Sequence, residues 1–278
     1  MEDGRAPVSH PTTVGGIGTA TSSDQANAAS DVIQQAADES PLLAWVRDLL
    51  GYLKESRTLT DRGNLHLADG RELVARLGTS DLLSDDAIGY KPRSSTQFRE
   101  VDFVYRLSIK ARFLHRRSGR VARSRAADVV DTDPAEAIHR LLRGMFSGTG
   151  PTVHVWGEDT YGWGWFAKDL DDDLGDFFVS LLNFPSGVAI DRLGDVAWAR
   201  MNERYDLRDI EPFKLEFQEH HMRTCLRTGL NWLARAGVLR INGLVLRERE
   251  HGEPEETAGA ARLSALGEWS ALRLVDNI

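Results

Sequence analysis

SRTLTDRGNLHLADGRELVARLGT (56–79), STQFREVDFVYRLSIKA (95–111) and RFLHRRSGRVARSR (112–125) decide the fold. In the first, Arg57 to Thr60 is extended, and the turn Asp61-Arg62-Gly63 ends it. Leu65, Leu67, Leu73, Val74 and Leu77 then share one side of a helix that stops at Gly78, a residue suited to a left-handed C-cap. In the second, Ser94, Ser95 and Thr96 offer a cap, and Phe98, Val101, Val104, Tyr105, Ser108 and Ala111 recur at intervals of three and four. The third holds two short strands joined by Arg117-Ser118-Gly119, a hairpin connection. Helix, strand, helix, helix, hairpin is the order of a winged helix, with residues 95–111 as its third helix.

Outward from this block, Ser40-Pro41 reads as an N-cap followed by proline at the first helical position, opening the unit's first helix over Leu42 to Lys54. Residues 1–38, rich in Ala, Ser, Thr and Gly, read as a disordered leader. Downstream, Asp133-Pro134 starts a helix that breaks at SGTGP (147–151), and the order then repeats. A helix over Asp171 to Asn183, an extended Val188 to Ile190, and helices over Asp191 to Met201 and Glu211 to Ala236 precede a hairpin turning at Asn242-Gly243. The predicted class is mainly α with short β-hairpins (α+β). Two winged-helix-like domains, 39–127 and 171–278, are joined by a helical, Trp-rich segment, 128–170.

GNLHLADGRELVARLGT (63–79) and RSSTQFREVDFVYRLSIKARFLHRRSGRVARS (93–124) resemble the corresponding block of an uncharacterised bacterial winged-helix-like family common in high-GC genomes. Some longer members carry a module related to plasmid and transposon passenger proteins. The resemblance implies a winged-helix fold and mobile-element ancestry, and brings no catalytic residues with it.

Net charge is −8, which argues against general attraction of the whole molecule to polyanions. The charge is nevertheless segregated. Lys91 to Arg125 contains eleven Lys or Arg against Glu100 and Asp102, whereas Asp128 to Phe178 contains eleven Asp or Glu against three cations. The basic stripe predicts contact with double-stranded DNA. Thr96, Arg99, Arg106 and Lys110 are placed to approach base edges or phosphates, and Arg116, Arg117, Arg120 and Arg123 to take phosphate. The alternative is a protein-interaction or scaffold role, in which the stripe docks an acidic protein surface: a partner's, a second copy's by self-association, or the chain's own. One cysteine excludes an intramolecular disulfide framework. With no apolar run near the ~20 residues of a membrane span and no signal-peptide pattern, the expectation is a cytoplasmic protein with no membrane partner.

Other constellations fall short. Glu216, His220, His221 and Cys225 form two pairs about a hundred degrees apart around one helix, too far apart for one ion. Asp169, Asp171, Asp173 and Gly175 miss the calcium-loop spacing twice and read instead as carboxylates at a helix N-terminus. Trp156, Tyr161, Trp163 and Trp165 read as core plugs, Gly15 to Gly18 has no strand before it, and no GxSxG nucleophile motif occurs. The chain is read as a non-enzyme that needs no cofactor or metal.

Overall fold

The computed structural model describes residues 22–83, 91–147, 150–152, 165–208, 210–242, 245–248, 254–257 and 259–276. Leader residues 1–21, with the Gly15 to Gly18 run, and the aromatics Trp156, Tyr161 and Trp163 lie outside them.

Residues 22–38 are helical, a departure from the expected disorder. α1 (Ser22–Asp38) is alanine-rich, which suits a helix, and packs on α6 (Pro134–Met145) and α10 (Ala265–Val275). Its Gln34 donates to Asp133 Oδ1 at 2.8 Å and accepts from the Ala135 amide at 3.2 Å, so a side chain from the leader helps cap α6. No composition argument about the leader alone reveals that partner.

α2 (Pro41–Tyr52) starts as predicted: Ser40 Oγ accepts from the Leu43 amide and also donates to the Arg235 carbonyl at 3.0 Å. β1 (Arg57–Thr58), α3 (Leu67–Leu77), α4 (Arg99–Lys110), β2 (Leu114–Arg117) and β3 (Arg120–Arg123) complete the first unit. Its antiparallel sheet has the order β1-β3-β2. Ser118 and Gly119 both take positive φ, 51° and 69°, which turns the chain tightly enough for Arg117 to pair with Arg120.

A four-residue helix, α5 (Val129–Thr132), leads to α6. The second unit is α7 (Trp165–Ser180), β4 (Val188–Ala189), α8 (Ile190–Arg204), α9 (Pro212–Arg235), β5 (Leu239–Asn242), β6 (Val245–Glu248), β7 (Pro254–Thr257) and β8 (Ala260–Leu263), closed by α10. Its three-stranded sheet runs β4-β8-β5. The strand before the second helix thus pairs with the last strand of the hairpin in both units.

Gly243 of the expected Asn242-Gly243 turn lies outside the described residues, but the strands on either side of it do not pair with each other as a hairpin would require. β5 pairs with β8 (Leu239↔Leu263, Asn242↔Ala260) and β6 with β7 (Val245↔Thr257, Glu248↔Pro254). The two pairs share one register, and each is antiparallel. The observed register sets the buried Leu239 against Leu263, and Ile241 against the buried Ala261. That tertiary gain overrides a strong local turn signal.

Apolar burial is continuous from α2 through α4, α6, α7 and α9 to α10, so the two units share one core. Among the described residues no helix is long and apolar enough to cross a membrane. Over the described residues the protein is mainly helical, with two three-stranded antiparallel sheets and the two-stranded β6–β7 pair.

Candidate nucleic-acid interface

α4 owes its position to side chains from outside it. Ser94 and Gln97 form a capping box, but around the short 3-10 turn Ser95–Gln97, and Ser95 Oγ donates to the Leu65 carbonyl at 2.6 Å. The N-terminus of α4 itself is capped by Asp81, whose carboxylate accepts from the Glu100 and Val101 amides, each at 3.1 Å. Ser94 to Thr96, the cap expected from the sequence, lie one turn earlier and cap the 3-10 turn instead.

Most of α4 faces protein. Val101, Asp102, Phe103, Val104, Tyr105, Leu107 and Ser108 are buried. Phe103 lies 4.4 Å from the Trp232 ring of α9, centroid to centroid, and the last turns of α4 abut Gly144 of α6. What remains in solvent is one line of cations: Arg99, Arg106 and Lys110, seven and eleven residues apart and hence near whole turns. Arg106 Nε reaches the buried Asp102 carboxylate at 2.8 Å. Lys110 Nζ donates to the Ser147 carbonyl at 3.0 Å, and burial holds its ammonium below the ordinary lysine range, with Asp171 opposing. Thr96, half-buried, shares a hydrogen bond with Ser94 Oγ at 3.0 Å.

The hairpin lies beside this line. Arg116 Nη1 donates to the Gly63 carbonyl at 3.1 Å, the same carbonyl that Tyr105 of α4 approaches at 3.5 Å. Burial raises the Tyr105 phenol, and Arg116, Asp102 and Arg106 all act on it, which places α4's cations and the hairpin's around one ring. Arg120 forks onto Ser56, Nε to Oγ at 2.7 Å and Nη2 to the carbonyl at 2.6 Å. The Arg117 side chain is exposed with no hydrogen bond or ion pair among the described residues. Arg123 differs: it pairs with Asp128 at 3.2 Å and Asp131 at 3.1 Å, so its charge is already balanced by the acidic segment that follows.

Three further cations, outside the predicted contact residues, complete the basic surface. Arg112, in the turn after α4, and Arg140 and Arg143 of α6 line a groove of about 620 Å³ into which Lys110 also opens. The spacing of three between Arg140 and Arg143 was readable, but not that their helix packs beside α4.

The second unit presents its cations differently. Arg223 of α9 is tied to Glu219 at 2.6 Å and Asp195 at 2.7 Å, and Arg235 pairs with Glu100 of α4. Cys225 is fully buried, its thiol pushed up to about 12 by burial, with Sγ 3.7 Å from His221 Nε2. Asp169 and Asp173 do not sit at a helix N-terminus as expected, because α7 begins at Trp165. They pair inward instead: Asp173 with Arg204 at 2.5 Å, Asp169 with Arg204 at 3.4 Å and with the Tyr205 hydroxyl at 2.5 Å. Asp171 accepts from the Thr152 amide at 2.9 Å.

Comparisons of the chain with protein-family models, with curated proteins and with solved structures return no match.

Proposed function

We propose that this chain is a non-enzymatic tandem winged-helix protein that binds double-stranded DNA through the exposed edge of α4 and the β2–β3 wing. The winged-helix reading is supported by the shared element order of the two units and by their matching strand orders, β1-β3-β2 and β4-β8-β5.

One observation carries the DNA reading. The wing cations Arg116 and Arg120 meet only carbonyl and hydroxyl oxygens, and Arg117 meets neither, so three full charges lie uncompensated beside the Arg99–Arg106–Lys110 line. Phosphate can take such groups without displacing a carboxylate. Because α4 offers an edge one residue wide, with no exposed Asn or Gln along it, the contacts are expected to fall on the backbone and sequence preference to be weak.

The second reading, docking of an acidic protein surface, is favoured by Arg123, which already donates to two carboxylates of its own chain. Fluorescence anisotropy separates the two. A labelled random duplex should bind at low salt, and Ala at Arg116, Arg117 and Arg120 together should weaken it at least tenfold. No binding at low salt, or displacement by polyglutamate but not by unlabelled duplex, refutes the DNA reading.

A further inference from the structure

We propose that the groove between the end of α4 and the outer face of α6 is a binding site for a small phosphoryl anion, held by Lys110, Arg112, Arg140 and Arg143. The groove encloses about 620 Å³, more than one inorganic ion fills and within the range of small-ligand sites.

Four cations face one carboxylate there, in a chain whose net charge is −8. That carboxylate, Glu136, is already engaged by Arg140 at 2.9 Å and Arg273 at 2.7 Å. Burial alone would raise its pKa, yet the two guanidinia hold it below the usual range, so it stays ionised and its charge is offset within the wall. Arg112 and Arg143 are exposed and carry no ion pair or hydrogen bond through their side chains among the described residues.

Backbone geometry adds an independent reason. Arg112 sits at φ 64°, the left-handed region that glycine or asparagine occupies at little cost and a long β-carbon residue does not. The conformation is fixed by Ser124 Oγ donating to the Arg112 carbonyl at 2.5 Å and by the Phe113 amide reaching the Ser108 carbonyl at 2.8 Å. Glycine would serve the turn alone at less cost, and the residue placed there is instead a cation that lines the groove. The donors come from three walls: the end of α4, the following turn and α6. A tetrahedral phosphoryl group presents oxygens in several directions at once, which a planar carboxylate does not.

This inference does not rest on the DNA reading, and Lys110 is the one residue the two share. Pyrophosphate serves as the probe, in the absence of nucleic acid, read by calorimetry and thermal melting. It should raise the Tm of the full chain, and Arg143→Gln and Arg112→Gly should each weaken binding by about tenfold, the scale of one charge-assisted contact. Arg71→Gln, on α3 away from the groove, should bind as the parent does. Arg112→Gly alone should melt no lower than the parent, since glycine accepts that φ; this separates a lost ligand from a lost fold. Pyrophosphate binding without duplex binding would support the groove and refute the DNA reading. Absence of pyrophosphate binding at millimolar concentration would overturn the proposal. So would an equal loss in Arg71→Gln, which would make the effect one of diffuse charge. If the two groove variants weaken duplex binding while pyrophosphate leaves the protein unaffected, the groove belongs to backbone phosphates and the free-ligand site is wrong.

Discussion

Arg235, the last residue of α9, pairs with Glu100 in the first turn of α4, and its guanidinium lies 4.9 Å from the Trp45 ring centroid and 5.1 Å from that of Trp232. Trp45 belongs to α2, so one side chain joins three helices of two units. The pair bears on the proposed DNA contact, because the helix it anchors carries Arg99, Arg106 and Lys110.

Arg235→Ala should therefore destabilise by about 2 kcal/mol, the sum of a partly screened ion pair and two cation–π contacts. Arg235→Lys should fall between, keeping charge but losing the planar stacking. Urea unfolding measures both, and a cycle with Glu100→Gln should show coupling of about 1 kcal/mol. Zero coupling would show that the pair does not tie the units.

Gly267, in the first turn of α10, has no room for a side chain: a Cβ there would lie 2.0 Å from the Val238 carbonyl oxygen. Backbone cannot yield as a flexible side chain would. Gly267→Ala should cost about 3 kcal/mol, at the upper end of overpacking, and a urea midpoint unchanged from the parent would contradict this docking of α10.

Ser118 holds φ 51° in the β2–β3 turn, where Asn or Gly is favoured. Ser118→Asn should stabilise by about 0.5 kcal/mol, read as a higher Tm, with duplex binding unchanged because the hydroxyl is not among the proposed contacts.

His139 is buried in α6 with its ring 5.9 Å from Trp269, and Nδ1 has no hydrogen-bond partner among the described residues. Burial, then Arg273, push its pKa below the ordinary 6.5, with Glu136 opposing and Arg143 adding. A histidine depressed in the folded state leaves stability intact above 6.5 and costs stability as pH falls below it, where only the unfolded chain takes the proton. His221, also lowered by burial, acts the same way. Unfolding free energy should decline from pH 7 to pH 5, and less steeply in His139→Gln; an identical slope in the variant would contradict this.

Legibility in the sequence followed the range of the interaction. Ser40-Pro41, Gly78 and the Arg117 to Arg120 turn were readable because each is settled by neighbours a few residues away. The Asp81 cap of α4, the Gln34 cap of α6 and the Arg235 clamp were not, because each partner lies on another element. Asn242-Gly243 misled for the same reason: its local preference is outweighed by apolar pairing with residues some twenty positions on. For the candidate interface, periodicity located Arg99, Arg106 and Lys110 on one line. It could not show that Arg123 would be matched by Asp128 and Asp131, nor that Arg112, Arg140 and Arg143 would converge.

The most direct test of DNA contact by α4 and the wing is the salt dependence of duplex affinity. Six phosphates taken by Arg99, Arg106, Lys110, Arg116, Arg117 and Arg120 should give a slope of log Kobs against log salt of roughly −5, and the Arg116, Arg117, Arg120 triple alanine variant roughly −3. A slope near zero, or one that the triple variant leaves unchanged, would contradict it.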